Sequence, residues 1–429
     1  MTNPASASQA ANRGVESPYA WWRLWVSLAL MTFGGSGMYV VTVVLPSVQA
    51  EFGVARADAS LPYTLTMIGF GAGGILMGRL ADRFGVMVPV MIGAVGLGLG
   101  FVLAGSAGSI VAFSIAQGLL IGLLGTSATF APLVADTSQW FDRRRGIAVA
   151  VCMSGNYVAG ALWPPVIQHF IETAGWRAAY VGTGVFCIAV MLPLALVLRR
   201  RPPSQAAPAA TLPAAAGSAP PPAADDARAR PLGFSPGGLQ ALLCVAGVAC
   251  CVAMSMPQVH IVAYCGDLGF GPARGAEMLS LMLGMGVVSR LVSGWICDRI
   301  GGLRTLLLGS LLQGVALLMF LPSTGLVSLY VVSGLFGLFQ GGIVPSYAII
   351  VREHFTPREA GARVGTVLMA TLLGMALGGW MSGALFDLTG SYRTAFLNGI
   401  GWNALNVAIV LWLIARERRG RRLAVAASR

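Results

Sequence analysis

Long apolar stretches separated by short polar segments run along most of the chain. Each stretch is close to the roughly 20 residues that an α-helix needs to cross a bilayer. Backbone groups in lipid must bond within their own segment, so such stretches predict helices. The pattern predicts twelve membrane spans, at 22–46, 60–82, 86–105, 108–135, 146–170, 176–198, 238–264, 275–297, 303–322, 326–351, 361–386 and 392–415.

The segment 199–235 interrupts this pattern between the sixth and seventh spans. It opens with three arginines and continues in Ala, Pro and Ser, with too few large apolar residues to pack. We therefore expect a disordered cytoplasmic linker between two six-helix bundles, at 21–198 and 236–415. The sequence further predicts an N-terminal tail at 1–20 and a basic tail at 416–429, both cytoplasmic.

The composition supports an all-α membrane protein. Hydrophobic residues make up 56% of the chain and charged residues only 10%, against about 25% in a soluble domain. All 28 basic residues are arginine, so lysine has no part in any mechanism. The net charge of +12 could suggest nucleic acid as a partner. Because the arginines are scattered at helix ends rather than forming one stripe, we expect no nucleic-acid partner.

The arginines also predict the orientation of the chain, because cytoplasmic loops retain positive charge. With the N-terminus inside, 23 arginines fall on the cytoplasmic side and four on the other side. This asymmetry predicts a multi-pass protein of the inner membrane with both termini cytoplasmic. The remaining arginine, Arg290, lies inside a span.

Two sequence matches at one spacing indicate an internal repeat. Residues 78–85, after span 2, match residues 294–301 at an offset of 216, and residues 175–180 match 391–396 at the same offset. The two halves of the chain are therefore expected to have arisen by duplication.

The first repeated segment resembles the loop signature of the major facilitator superfamily, whose carriers consist of two pseudo-symmetric six-helix bundles. An aspartate at a helix end and an arginine in the following turn can cross-link neighbouring helices and release them again. The predicted gate residues are Asp82, Arg83, Asp298 and Arg299. The alternative is that these residues only anchor the topology.

A second resemblance begins between spans 4 and 5. Residues 140–148, followed by Ser154, Gly155 and two prolines, are similar to the monocarboxylate transporter family and its bacterial oxalate/formate-antiporter-like relatives. Residues 260–270 and 290–299 are similar to the same group. The resemblance implies a secondary carrier in which the arginine of span 8 binds the substrate carboxylate.

Arg290 occupies that position and is costly to bury. It precedes Asp298 by eight residues, which places it about 12 Å from the cytoplasmic end of span 8. An arginine at such depth costs about 2.5–3.5 kcal/mol, and no acidic residue lies one helical turn away. A carboxylate substrate would supply two parallel hydrogen bonds to the guanidinium. The alternative is a structural arginine bonded to carbonyls or to a polar residue of another span.

Other polar residues inside the spans are candidates for lining a central cavity, and the family builds its cavity mainly from spans 1, 4, 7 and 10. Each has the alternative of a hydrogen bond that packs two helices. His260 also titrates in the physiological range when exposed, but a lone histidine is more often a packing residue. The substrate-binding candidates beside Arg290 are Tyr39, Gln117, Asn156, His260, Gln340 and Tyr347.

The sequence differs from the proton-coupled members of the family. Those members carry a lysine in span 1 and an aspartate one turn before the arginine of span 8, where this chain has Tyr39 and Gly286. Span 11 has no lysine or arginine between Arg363 and Asp387. Protons remain a candidate coupling ion by another route, and a single buried cation favours a monoanion over a dianion.

These observations predict a secondary transporter of small organic monoanions that works by alternating access, as a monomer in the lipid bilayer. No cofactor, metal site or catalytic residue is predicted. The first rival is a drug exporter of the same superfamily, although none of the 16 acidic residues falls clearly at mid-span. A receptor without flux and an intramembrane enzyme are the other rivals, but neither a signalling domain nor an HExxH or GxSxG motif is present.

Overall fold

The computed structural model describes residues 16–201 and 231–427, and within these ranges twelve helices are long and apolar enough to cross a membrane. Residues 1–15 of the predicted tail and 202–230 of the predicted linker lie outside the described residues. We number the helices in chain order: α1 (Pro18–Phe52), α2 (Arg56–Phe84), α3 (Met87–Gly105), α4 (Ile110–Trp140), α5 (Arg145–Ala174), α6 (Trp176–Val197), α7 (Pro236–Asp267), α8 (Pro272–Ile300), α9 (Gly302–Phe320), α10 (Leu326–His354), α11 (Pro357–Thr389) and α12 (Tyr392–Ala427).

Short polar residues and glycines set the ends of these helices. Ser17 and Ser235 precede α1 and α7, and each hydroxyl accepts a hydrogen bond from a first-turn amide, at 3.3 and 3.1 Å. A proline follows each serine at the first helical position, where its missing N–H is not needed. Gly85 and Gly301, in the repeated segment, have φ angles of 86° and 82°, which glycine adopts readily.

The described chain divides into two compact units. Unit 1 contains residues 1–54 and 61–215, and unit 2 contains residues 55–60 and 216–429. Unit 1 therefore holds α1, most of α2 and α3 to α6, whereas unit 2 holds α7 to α12. The first turn of α2 belongs to unit 2, although the rest of that helix belongs to unit 1.

Glycines bring two pairs of helices into backbone contact. In unit 1, a methyl group on Gly69 of α2 would meet the carbonyl oxygen of Gly118 of α4. In unit 2, a methyl group on Gly341 of α10 would meet the carbonyl oxygen of Gly286 of α8. Small residues allow this approach between membrane helices, so the positions of α8 and α10 are fixed relative to each other.

Three helices are interrupted within the membrane, which the hydrophobic pattern does not predict. Helix α1 breaks at Gly35, and α10 breaks at Gly341 and Gly342. Helix α4 contains a π-helical segment, Ala116–Thr126, and a turn at Thr129 and Phe130. Non-helical backbone at membrane depth is tolerated where it is buried in protein or lines a water-filled cavity, and transporters place their binding sites at such breaks.

Candidate functional site

Arg290 projects from the protein side of α8. Successive residues of a helix are rotated by about 100°, so positions two, five and nine residues away lie on roughly the opposite side. Those positions carry four of the six large apolar side chains that α8 exposes: Leu281 (39%), Val288 (45%), Val292 (47%) and Trp295 (57%). The other two, Leu291 (52%) and Ile300 (38%), lie about 100° and about 80° around the helix from Arg290. Arg290 itself is half-buried. Its guanidinium therefore points away from the surface that is suited to lipid.

The two turns beside Arg290 differ in packing. Gly286, one turn before it, lies against the backbone of α10. Gly294, one turn after it, is exposed, and a methyl group there would meet no atom within 4 Å. The arginine thus lies where a packed stretch of α8 gives way to an open stretch.

The break in α10 places buried polar groups next to α8. Gln340, fully buried, accepts a hydrogen bond of 3.1 Å from the side-chain amide of Gln258 of α7. The Oγ of Ser289 lies 3.0 Å from the position of a methyl group on Gly341. Among the described residues, neither the Nε2 of Gln340 nor the Oγ of Ser289 has a hydrogen-bond partner. Ser289 precedes Arg290 in sequence, and Gln340 lies beside the break in α10. Both therefore have a polar atom available to an anion.

In unit 1, Asn156 of α5 lies against the break in α1. Its Oδ1 is 3.4 Å from the position of a methyl group on Gly35. The side chain is half-buried and forms no hydrogen bond within the described part of the chain. Tyr39 follows one turn after the break and is 5% exposed. Of the candidates in unit 1, Asn156 is best placed to bind a polar group.

Gln117 is held inside unit 1. Its Nε2 donates to the hydroxyl of Tyr180 at 2.6 Å, and its Oε1 accepts from the hydroxyl of Thr66 at 3.2 Å. The side chain is fully buried. This network joins α2, α4 and α6, so its evident role is to pack these helices.

Tyr347 is also engaged with neighbouring helices. Its hydroxyl donates to Oδ1 of Asn406 at 2.9 Å, and Asn406 in turn donates to Ser310 at 2.7 Å. All three residues are buried to at least 98%. The structure thus places Tyr347 in the packing of α9, α10 and α12.

His260 is fully buried in α7 at the end opposite to the repeated arginine-rich loops. Its Nδ1 lies 3.0 Å from the hydroxyl of Tyr392, and its Nε2 lies 2.8 Å from the carbonyl oxygen of Gly379. Both ring nitrogens are therefore used within unit 2.

The predicted gate residues lie at the ends of α2 and α8. All four are exposed, and none forms an ion pair with any described residue. The guanidinium groups instead stack on aromatic rings of their own helix ends, Arg83 on Phe84 at 5.1 Å and Arg299 on Trp295 at 3.6 Å. In this structure the charges are free to make new contacts.

Two ion pairs, one buried and one half-buried, were not predicted. Arg23 of α1 binds Asp136 of α4, and Arg56 of α2 binds Asp267 of α7. Both arginines entered the sequence analysis only through the count that gave the orientation. A signal was present, since each lies at the edge of an apolar run, but its partner is distant in sequence.

A cavity of about 430 Å³ in unit 1 is apolar and is lined mainly by α5 and α6. Phe33, Trp163 and Phe186 form part of its wall, and no ionisable side chain lines it. It offers no partner to a carboxylate, so we give it no part in anion binding.

The twelve helices in two units define a multi-pass membrane transporter. The chain belongs to the Major Facilitator Superfamily, whose family model matches residues 25–333 and 241–428. It is 28% identical to monocarboxylate transporter 13 of Rattus norvegicus over 74% of this chain and 71% of the relative. It is also 28% identical to monocarboxylate transporter 11 of Mus musculus, over 82% of this chain and 78% of the relative.

A solved structure has the same fold. The crystal structure of a bacterial homolog of the human lysosomal transporter Spinster, in an inward-facing and unoccupied conformation, superimposes with a TM-score of 0.66 at 15% identity, covering 94% of this chain and 96% of that chain. These similarities confirm the predicted fold class, the superfamily and the resemblance to monocarboxylate transporters. Carriers of this superfamily are not enzymes and move small molecules by alternating access.

Proposed function

We propose that this protein carries small organic monoanions of the monocarboxylate type, and that Arg290 binds the carboxylate. The proposal is supported above all by one observation: an arginine deep in α8 points away from the apolar exposed face of its helix and lies one turn from open space at Gly294. A planar guanidinium binds a carboxylate through two parallel hydrogen bonds. The similarity to proteins named monocarboxylate transporters supports the same substrate class for this chain.

The charge available favours a monoanion. The buried guanidinium groups of Arg23 and Arg56 are each neutralised by an aspartate of the protein. Arg290 carries a single positive charge, which matches the charge of one carboxylate. Gln340 and Ser289, in the same unit, would accompany it with neutral polar contacts. Asn156 remains the candidate of unit 1.

The remaining candidates take structural roles in this proposal. Gln117 and Tyr347 pack helices through the hydrogen bonds described above. His260 belongs to a separate cluster at the opposite end of unit 2. The exposed charges at the ends of α2 and α8 would form the gate, making and breaking ion pairs during transport.

The arginine distribution supports an orientation with both termini cytoplasmic in the inner membrane. The ends of α2 and α8 that carry the repeated loops are then cytoplasmic, and the start of α2 and the end of α7 face outward. A reporter that is active only outside the cytoplasm, fused after Gly108 or after the C-terminus, tests this orientation. Activity of the C-terminal fusion would contradict it.

Uptake by the full protein in liposomes tests the function. Arg290→Ala should abolish uptake of labelled monocarboxylates, and Arg290→Lys should retain a small part because lysine keeps the charge but not the paired hydrogen bonds. Arg274→Ala is the matched control, since Arg274 lies on the same helix, is exposed and pairs with Glu277 at the opposite end of α8 from the repeated loop. Normal uptake by a folded Arg290→Ala variant would overturn the proposal.

A further inference from the structure

The first turn of α2 is bound within unit 2 by a charge cluster in which Arg56 is buried and both aspartates are exposed. The backbone N–H groups of Arg56 and Ala57 donate to the two oxygens of Asp387, at 2.9 and 2.7 Å. Asp387 lies near the end of α11, and by accepting these two bonds it caps the N-terminus of α2. A carboxylate there satisfies otherwise unpaired amides and interacts favourably with the helix dipole.

The side chain of Arg56 strengthens this attachment. Its Nη1 donates to Asp267 at 2.7 Å and to the hydroxyl of Tyr392 at 2.9 Å. The guanidinium stacks on the ring of Phe386 at 4.3 Å. Arg56 is only 9% exposed, although it lies at the very start of α2. We call the segment 55–60 with these partners the outer latch.

The latch contains a hydrogen-bond chain with a fixed direction. The carbonyl of Gly379 only accepts, so the Nε2 of His260 carries a proton and its Nδ1 carries a lone pair. The hydroxyl of Tyr392, 3.0 Å away, therefore donates to Nδ1, and its oxygen accepts from Arg56. The docked arginine and the neutral imidazole are thus joined through one hydroxyl group.

A second proton on His260 is incompatible with this chain. Protonated Nδ1 becomes a donor, so the oxygen of Tyr392 would face two cationic donors and its hydroxyl proton would lose the Nδ1 acceptor. The added charge would also lie close to the guanidinium of Arg56 in a buried region, where like charges repel strongly. Binding of a proton and docking of Arg56 therefore disfavour each other.

The acidic partners of the latch lie at the surface: the side chain of Asp267 is 36% exposed, and Asp387 is exposed as well. The titratable and charged groups around His260 come from the first turn of α2, from α7, from α11 and from α12: Arg56, Tyr264, Asp267, Asp387 and Tyr392.

We propose that His260 is a proton-binding site that releases the outer latch when the pH falls. The released state binds the extra proton more tightly than the docked state does, so lowering the pH favours release. A single coupled proton changes the docking equilibrium by at most about tenfold per pH unit. This role is separate from anion binding at Arg290 and assigns a proton route that does not use the positions of the known proton-coupled relatives.

Labelling of a buried position measures release directly. Ala59, on the latched turn, is 2% exposed, so a thiol in Ala59→Cys should react with a maleimide only after release. Gly108→Cys is the reference, because Gly108 is exposed with no atom within 4 Å of its added carbon. The ratio of the two labelling rates, quantified by mass spectrometry on the purified full protein in detergent, cancels the pH dependence of thiol reactivity.

The ratio should rise several-fold as the pH is lowered from about 8 to about 6, the range in which a histidine titrates. In the Ala59→Cys background, His260→Gln should flatten this response, because it removes the group that binds the proton. Tyr392→Phe should weaken the response, because it removes the competition for the hydroxyl group and leaves only the repulsion between the two cations. His169→Gln is the matched control, since His169 is exposed on α5 at the same end of the helices and should leave the response unchanged.

A flat ratio in the parent protein would overturn the proposal. An unchanged pH response in His260→Gln, or in Tyr392→Phe if the histidine variant does not fold, would equally overturn it and assign the effect to the aspartates. The experiment contains no substrate, so these outcomes are distinct from a failure of the anion proposal, which is read from uptake by Arg290 variants.

Discussion

Arg23 and Asp136 form a bidentate ion pair in which the Nε and Nη2 of the arginine donate to the two carboxylate oxygens, at 2.8 and 2.9 Å. Both side chains are at least 95% buried, and the guanidinium lies 4.9 Å from the ring centre of Trp140. The pair joins α1 to α4 within unit 1. It thus fixes one interrupted helix against another.

Breaking this pair should destabilise the protein strongly. Asp136→Asn removes the negative charge and leaves the guanidinium buried without its counterion, which costs about 3–5 kcal/mol. The midpoint of thermal unfolding in detergent should fall accordingly. The double variant Arg23→Met with Asp136→Leu removes both charges and should recover most of the loss. A single variant with unchanged stability would contradict a structural role for the pair.

Tyr347→Phe should separate packing from substrate binding. Loss of the hydroxyl leaves the buried Oδ1 of Asn406 without its donor, which costs about 1–3 kcal/mol of stability. The KM for a monocarboxylate should stay within error of the parent value. A raised KM with unchanged stability would show instead that the hydroxyl contacts the substrate.

Ser289→Ala should give the opposite pattern. Its Oγ has no hydrogen-bond partner among the described residues, so the change removes no contact within the protein and should leave stability nearly unchanged. If the hydroxyl binds the anion, the KM should rise several-fold, equivalent to about 1 kcal/mol for one hydrogen bond. Uptake kinetics together with a melting curve decide between these readings, and an unchanged KM would exclude the contact.

The close approach of α8 and α10 should be sensitive to one methyl group. Gly341→Ala places a carbon against the carbonyl of Gly286 and should displace α8, lowering both stability and uptake. Gly294→Ala adds the same methyl group to α8 at a position where no atom lies within 4 Å, so it should keep the fold intact. Equal stability of the two variants would contradict the backbone contact described here.

The cytoplasmic gate should affect turnover rather than binding. Asp298→Asn removes one of the exposed charges of the second-half loop and should lower the maximal rate of uptake while the equilibrium affinity for substrate stays constant. Asp142→Asn is the control, because Asp142 is exposed, lies between α4 and α5 on the side predicted to be cytoplasmic, and pairs with Arg145. A control variant that loses as much activity would point to surface charge in general.

Much of the fold was predictable from the sequence because its signals are local. Apolar runs of the right length identify spans, and matches at a constant offset reveal the duplication. Arg290 was found because a charged residue deep in an apolar run stands out. Its orientation on α8 also agrees with the spacing of the exposed apolar residues around it.

The rest depends on contacts between residues far apart in the chain. Glycine is abundant, with 57 copies, so the sequence does not mark Gly35 or Gly341 as the point where a helix breaks. Arg56 and Asp387 are 331 residues apart, and nothing local links them. Polarity within a span likewise does not reveal which neighbour a side chain faces, as Tyr347 shows.

The central claim is that Arg290 binds a carboxylate, and equilibrium binding to the purified protein tests it most directly. A panel of short-chain and aromatic monocarboxylates should raise the melting temperature of the parent protein, because a ligand of the native state stabilises it. The same ligands should leave the melting temperature of Arg290→Ala unchanged and that of Arg274→Ala raised as in the parent. Equal ligand-induced stabilisation of the parent and Arg290→Ala would contradict the account.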